Sequence, residues 1–189
     1  NPLKMKLRFF ISVLFLLVCF MSCHNIKKEN ILQMADNWTG KIMIFPESMT
    51  YTVQGEKIPN DSMFNTEYTI VSYVDTIGCL SCKLHLDKWK IIIQEMNGIT
   101  PSLVSPILIF HVNDMKEATY MLDRYEFNYP ICIDTLDIFN KVNHLLSIPS
   151  FQTFLLDKDN KIVAIGNPVY NPKIKELYMN IIQGKADLN

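Results

Sequence analysis

The sequence predicts an α/β domain whose central mixed sheet carries helices on both faces, preceded by a short β extension. Three observations predict this class. Strand-like and helix-like segments alternate from residue 68 onward and end in a hairpin and a helix. Residues 69–74 are β-branched and aromatic, as in a buried strand. Residues 106–112 form a continuous apolar run that begins with a proline, which is typical of a central strand.

Length and charge exclude several classes of function. The chain has 189 residues, 49% of them hydrophobic, which is enough for one substantial core. A formal net charge of -1 argues against a strongly basic nucleic-acid binder, so no nucleic-acid partner is expected. None of the six glycines has the spacing of a phosphate-cradling loop. We therefore expect neither a nucleotide cofactor nor a resident metal.

The N-terminal residues 1–22 are predicted to be an export signal. Lys4, Lys6 and Arg8 precede an uncharged apolar run over residues 9–21. A short basic stretch followed by such a run is typical of a secretory signal, and the run is too short to span a membrane comfortably. Its removal would take away three basic residues and no acidic ones, which makes the remaining chain more acidic.

The residues that end this signal resemble the lipobox of bacterial lipoproteins. Ser22 is the small residue that precedes Cys23, although Phe20 stands where that pattern usually has leucine. The resemblance implies that Cys23 becomes the lipidated N-terminus and that residues 23–37 are a polar tether to the membrane. The alternative is a plain cleaved signal peptide with no lipid on Cys23. Both alternatives predict an exported protein of the cell envelope or periplasm, where disulfide chemistry is possible.

Residues 38–66 are predicted to be an N-terminal β extension, and residues 67–189 the main domain. Within the extension, residues 40–46 suggest a strand that ends at a proline, and residues 51–59 suggest a second short strand and a turn.

The main domain begins with the strand at residues 69–74 and a helix predicted to start at Cys79. Apolar residues recur along this helix at steps of four and three, which predicts one buried stripe. The stripe comprises Cys82, Leu86, Trp89, Ile93 and Met96. Gly98 is predicted to end the helix.

The later elements follow the same alternation. After the central strand, a helix capped by Asn113 or Asp114 is predicted, then a strand at 129–133 and a helix at 135–146. A strand at 151–156 and another at 161–165 form a hairpin across a polar turn. The last helix is predicted to be capped by Asn171, with Pro172 at its first position.

Chemistry is predicted at Cys79 and Cys82, between a strand and a helix. A cysteine at a helix N-terminus faces unpaired N–H groups and the positive end of the dipole, so the pKa of such a thiol falls to about 3.5–7.5. The second cysteine lies one turn on and can attack a mixed disulfide formed by the first. Cys79 is thus the expected nucleophile and Cys82 the resolving thiol. The alternatives are a structural disulfide, which gains little from so short a loop, and half of a metal site, which lacks a second ligand pair.

These cysteines, together with Ile148 and Pro149 before a later strand, resemble the thioredoxin fold over about residues 64–185. The extra strand and helix at 129–146 and the export signal make the chain more similar to the TlpA/ResA-like thiol-disulfide oxidoreductases. The resemblance implies a cis Pro149 beside the active-site disulfide and an Ile148 backbone that pairs with an incoming polypeptide. It further implies a reductant of thiols and disulfides in exported proteins, recharged by a membrane thiol electron donor.

The chain departs from this family at three places. Gly78 replaces the usual tryptophan before the first cysteine, and Leu80-Ser81 replaces the Gly-Pro pair of thioredoxin. Tyr73 stands where thioredoxin has a buried aspartate, which leaves the proton acceptor for Cys82 unidentified.

Two other functions stay open on the sequence. One is a redox-inactive lipoprotein of this fold that holds a metal or a partner. The other is a peroxiredoxin-like peroxidase, for which Thr76 fits that family's pattern but Ser72 replaces its proline.

Further candidates are given structural roles. His85 could tune a thiolate or bind a metal together with the cysteine pair, but a partly exposed helical position is favoured. His111 and Cys132 are expected to be core residues, and His144 could flank a substrate groove.

Overall fold

A computed structural model describes residues 33–59, 66–75, 84–99, 104–112 and 115–185. The predicted signal and the residues Cys23, Cys79 and Cys82 lie outside the described residues. Residues 33–38 are helical. From Thr39 onward, the described residues belong to one compact unit. No helix within the described ranges is long and apolar enough to cross a membrane.

The described strands form a seven-stranded mixed sheet, in the order β2-β1-β5-β4-β3-β6-β7. Strand β3 runs parallel to β4 and β4 parallel to β5, while the other neighbours are antiparallel. The bounds are β1 Tyr51–Val53, β2 Glu56–Ile58, β3 Tyr68–Asp75, β4 Val104–His111, β5 Ile131–Ile133, β6 Thr153–Asp157 and β7 Ile162–Ile165. Strand β4 is central and almost wholly buried, as its continuous apolar run predicts.

Four described helices cover the two faces of this sheet. They are α1 Leu86–Ile99, α2 Met115–Arg124, α3 Ile138–Asn143 and α4 Pro172–Ile182. The first, second and fourth share a core with one set of alternate strand residues, which includes Ile70, Leu108 and Leu155. Helix α3 lies on the other face, where Phe139 stacks on Tyr73. The predicted mixed sheet with helices on both faces is confirmed.

Helix α1 confirms the described part of the predicted buried stripe, but the chain is not helical at His85. Leu86, Trp89, Ile93 and Met96 are all buried. His85, however, has a left-handed φ of 39°, which no residue inside an α-helix can have. Leu84 is helical and the described helix begins anew at Leu86, so a single helix through His85 is wrong. The ring of His85 packs edge-on against Tyr170, with 5.2 Å between centroids, and this contact accompanies the break.

The N-terminal extension forms a hairpin, but the predicted strand at residues 40–46 is wrong. Only an isolated bridge joins Ile42 to Lys161 there. Gly40 has a φ of 86° and donates its N–H to Ile162, so the segment turns along the edge of β7 without forming a ladder. The β1–β2 hairpin turns at Gln54 and Gly55, whose positive φ values suit a tight two-residue turn, and it extends the sheet through β5.

The last part of the fold is largely as predicted. Asn171 caps α4 by accepting the N–H of Lys173 at 3.0 Å, with Pro172 in the first turn. The strand predicted at 151–156 begins only at Thr153, because residues 149–151 form a 3-10 helix.

Gly166 follows β7 with a φ of 125°, a conformation that only glycine adopts readily. A Cβ there would lie 3.0 Å from Cδ1 of Ile174. We expect Gly166→Ala to lower the free energy of unfolding by about 2–4 kcal/mol, from backbone strain and overpacking together. Gly55→Ala is the matched control, since its φ is also positive but nothing lies within 4 Å of its Cβ. Urea unfolding that gave equal losses for the two variants would contradict the packing part of this prediction.

Candidate functional site

Polar side chains gather where the parallel strands β3, β4 and β5 end. Asp75 and His111 are the last residues of β3 and β4 and are partners in register. Asp134 follows β5 directly. Carboxyl ends of parallel strands meet at one edge of a sheet, where α/β proteins commonly bind ligands. In the sequence, Cys79 comes four residues after Asp75.

A hydrogen-bonded network built on Asp137 lies at this edge. The buried hydroxyl of Tyr73 donates to Oδ1 of Asp137 at 2.5 Å. The amide of Asn140 donates to Oδ2 of the same carboxylate at 3.0 Å. Asp137 itself is held with a left-handed φ of 56° just before α3. The carboxylate therefore has a fixed position beside the end of β3.

The electrostatics of this network decide which of its groups holds a proton. Burial raises the pKa of Tyr73 well above its usual value, and the hydrogen bond to Asp137 and the nearby charges raise it further. The hydroxyl of Tyr73 hence stays protonated and acts as a donor at any physiological pH. The neutral hydroxyl therefore cannot act as a base toward a neighbouring group.

A second set of hydrogen bonds fixes the loop after β5. Oδ2 of the buried Asp134 accepts the N–H of Phe139 at 2.8 Å and so holds the first turn of α3. Nδ1 of His111 donates to the carbonyl of Asp134 at 2.9 Å. His111 is half-buried and has this partner, as predicted for a satisfied histidine. This hydrogen bond joins β4 to the loop.

A groove of about 180 Å³ opens beside these groups, and we call it the strand-end groove. Its lining includes Tyr73, Asp75, Asn140, Pro149, Gln152 and Tyr170. The lining mixes carboxylate, amide and aromatic surface, and Tyr170 is more than half exposed. The groove is thus accessible to a polar chain such as a polypeptide.

Pro149 lines this groove and Ile148 directly precedes it, but not in the geometry that the resemblance implies. No peptide bond among the described residues is cis, so the Ile148–Pro149 bond is trans and the expected cis Pro149 is corrected. Pro149 begins the 3-10 helix, in which Phe151 donates its N–H to the carbonyl of Ile148. This helix separates Pro149 from β6, and Gln152 takes the position directly before the strand.

The surface at Ile148 is nevertheless open to a binding partner. Ile148 is extended, with φ -107° and ψ 109°, and its side chain is 39% exposed. Within the described part of the chain, its N–H has no hydrogen-bond partner. An extended residue with an open N–H can pair with an extended polypeptide.

The other candidates from the sequence have structural environments. Cys132 is buried in β5, and burial, followed by the charge of Asp134, raises its pKa to about 12. It is inert as a nucleophile near neutral pH, which agrees with its predicted core role. His144 is exposed at the end of α3 and is not part of the groove lining. Over the described ranges, no group of three or more histidine, cysteine or acidic residues could hold a metal ion.

Sequence reasoning did not identify Asp137 or Asn140 as site residues. They lie 64 and 67 positions after Tyr73 and belong to no motif. The substitution of tyrosine for the expected aspartate at position 73 was the one available signal, since a buried hydroxyl needs a partner.

No protein-family model and no curated protein matches this sequence. Solved structures do match. A putative thiol:disulfide interchange protein DsbE from Chlorobium tepidum is 12% identical, with a TM-score of 0.56, over 80% of this chain and 98% of the other.

Two further structures show the same likeness. The thioredoxin domain of a thiol-disulfide oxidoreductase from Bacteroides vulgatus is 13% identical, with a TM-score of 0.52, over 74% of this chain and 96% of the other. The peroxidoxin BcpB from Mycobacterium tuberculosis is 11% identical, with a TM-score of 0.56, over 79% and 98%. The chain therefore has the thioredoxin-like fold shared by thiol-disulfide oxidoreductases of this kind.

Proposed function

We propose that this protein is a thiol-disulfide oxidoreductase whose redox centre is the pair Cys79 and Cys82. One observation carries the proposal: this Cys-x-x-Cys pair lies in sequence between β3 and α1 of a thioredoxin-like fold. A pair at that place follows the strand that ends beside Asp137 and the strand-end groove. The fold therefore supports the same role that the residues themselves predict.

The reaction is an exchange of two electrons. The thiolate of Cys79 attacks one sulfur of a substrate disulfide, forms a mixed disulfide and releases the first substrate thiolate. Cys82, once deprotonated, attacks the Cys79 sulfur and releases the second substrate thiolate. Both released thiolates take up protons. The substrate ends as a dithiol and the protein as a Cys79–Cys82 disulfide, which a thiol donor must reduce before the next cycle.

Described groups at the end of β3 and at the strand-end groove suit such a reaction. Asp137 and Asp75 are the described carboxylates at the end of β3, and either can take the proton that Cys82 loses. Tyr73 holds Asp137 in place and cannot itself take that proton. The N–H of Ile148, which has no hydrogen-bond partner among the described residues, and its partly exposed side chain can hold the substrate polypeptide next to Pro149.

The location and direction of the reaction are also part of the proposal. The predicted signal at residues 1–22 and the lipobox-like Cys23 support action on exported proteins from a membrane anchor. A reductant on that side of the membrane needs a membrane thiol electron donor. Metabolic labelling with a fatty acid tests the anchor, because Cys23→Ser should abolish incorporation; labelling that persisted would contradict it.

Reduction of insulin by dithiothreitol tests the proposed function. The purified protein is expected to accelerate the precipitation of the insulin B chain well above the rate with dithiothreitol alone. A parallel assay with hydrogen peroxide tests the second candidate, a peroxidase, which the likeness to a peroxidoxin favours. Rapid peroxide consumption without insulin reduction would mean that the protein is a peroxidase and not a thiol-disulfide oxidoreductase. Inactivity in both assays would contradict both functions.

A further inference from the structure

A second groove lies on the α1, α2 and α4 face of the sheet, between the β1–β2 turn and helix α2. We call it the hairpin groove. Its volume is about 500 Å³, within the range of pockets that bind small molecules or side chains. The floor is made by Phe127, Ile131 and Ile133. The groove lies between helix α2 and the hairpin, which extends the sheet beyond β5.

The walls of the hairpin groove expose apolar surface that the fold leaves uncovered. Met115 at the start of α2 is 46% exposed. Leu122, about two helical turns further along α2, is only half-buried. Both line the groove together with the buried floor. A flexible methionine at the mouth of an apolar groove adapts readily to the shape of a bound side chain. Covering this surface would be favourable in proportion to the apolar area removed from water.

The rim of the groove is acidic. Asp123 and Glu126 line it, both exposed, and none of the described lining residues is cationic. In the part of the chain that is described, neither carboxylate has a hydrogen bond or an ion pair. The ammonium of Lys90 is used on backbone carbonyls, those of Tyr125 and Glu126, at 3.0 and 3.3 Å. Lys57, opposite Thr52 in the hairpin, is exposed and outside the lining.

Polar groups flank the apolar walls on both sides. The hydroxyl of Thr52 and the amide of Gln54 line the hairpin side. On the α2 side, the hydroxyl of Thr119 donates to the carbonyl of Met115, so its oxygen can still accept a hydrogen bond. When a polypeptide inserts a side chain into an apolar slot, its main-chain amides lie on either side of that side chain. The donors and acceptors that flank this groove are placed to form hydrogen bonds with such amides.

We propose that the hairpin groove docks a segment of a partner polypeptide in which a large apolar side chain adjoins lysine or arginine. The apolar side chain fills the slot over Ile131 and Ile133, and the cation meets Asp123 and Glu126. The site is separate from the strand-end groove and does not depend on Cys79 or Cys82. Its partner therefore need not be a substrate of the redox reaction.

Fluorescence anisotropy with a labelled peptide of sequence Gly-Lys-Leu-Phe-Lys-Gly tests this proposal on the purified protein. Binding should be saturable and should weaken as salt is added. Asp123→Asn with Glu126→Gln should weaken it about 5–10-fold, as expected for two rim charges. The matched control, Asp159→Asn with Glu176→Gln, removes two exposed carboxylates that are not in the lining and should leave the affinity unchanged.

A blocking variant and an acidic control peptide show whether the labelled peptide binds in the hairpin groove and whether its charge matters. Thr119→Trp, at an exposed position, should block the groove and abolish binding without unfolding the protein. The peptide Gly-Glu-Leu-Phe-Glu-Gly should not bind. Equal binding of the acidic peptide, or an affinity that neither variant alters, would overturn the proposal. Sedimentation that showed a dimer broken by Thr119→Trp would also overturn it, because the occupant would then be a second copy of the chain.

Discussion

Cys82→Ala is expected to hold its substrate as a mixed disulfide that the wild-type protein releases. Without the second thiol of the Cys-x-x-Cys pair, the bond between Cys79 and the substrate sulfur is no longer attacked by the proposed resolving residue. Cys79→Ala removes the nucleophile, so no adduct should form and insulin reduction should fall to the rate of dithiothreitol alone. Non-reducing electrophoresis and intact mass after incubation with a disulfide-bonded substrate measure both outcomes.

The control for these variants is Cys132→Ala. Cys132 is buried, and its raised pKa of about 12 keeps it as a neutral thiol. Its loss should cost some stability but leave the adduct and the turnover unchanged. If the mixed disulfide failed to form in Cys132→Ala, or still formed in Cys79→Ala, the nucleophile would have been assigned to the wrong cysteine.

Phe139→Ala is expected to lower the free energy of unfolding by about 3–5 kcal/mol, the range for deleting a buried aromatic side chain. Phe139 is fully buried, and its ring centroid lies 5.6 Å from that of Phe45 and 6.3 Å from that of Tyr73. It joins α3 to the sheet, and Asp137 directly precedes α3. The variant should therefore also loosen the carboxylate that Tyr73 holds.

Urea unfolding measures the loss for Phe139→Ala, with Val142→Ala as control. Val142 lies on the same short helix but is 38% exposed, so its truncation should change the free energy of unfolding by less than about 0.5 kcal/mol. A loss below about 1 kcal/mol for Phe139→Ala would show that α3 is not anchored through this ring.

The core of the fold could be predicted because its signals are local. The β-branched run of β3 and the apolar run of β4 give the two central strands, and the apolar steps of α1 give its buried face. The break at His85 could not be predicted, since it accompanies a ring contact with Tyr170, far along the chain. The segment at 40–46 has the composition of a strand, but its few backbone hydrogen bonds go to the start of β7 and to the turn that precedes β7.

The candidate site, too, could be predicted from the sequence only in part. The spacing of Cys79 and Cys82 is visible in four residues, and Ile148 and Pro149 are exposed, while their predicted use in substrate binding stays a prediction. Asp137 was invisible because only the tertiary fold brings it to the hydroxyl of Tyr73. The trans bond and 3-10 helix at Pro149 depend on how the chain enters β6, which a short motif does not specify.

Peptide mapping of the protein before and after oxidation tests the central claim most directly. The protein is treated with diamide, alkylated, digested and compared with a sample first reduced by dithiothreitol. We expect Cys79 and Cys82 to lose alkylation together and to appear joined by one disulfide, which dithiothreitol reverses, while Cys132 stays a thiol and reacts only after unfolding. If Cys79 and Cys82 were both still alkylated after treatment with diamide, a redox function for this pair would be contradicted.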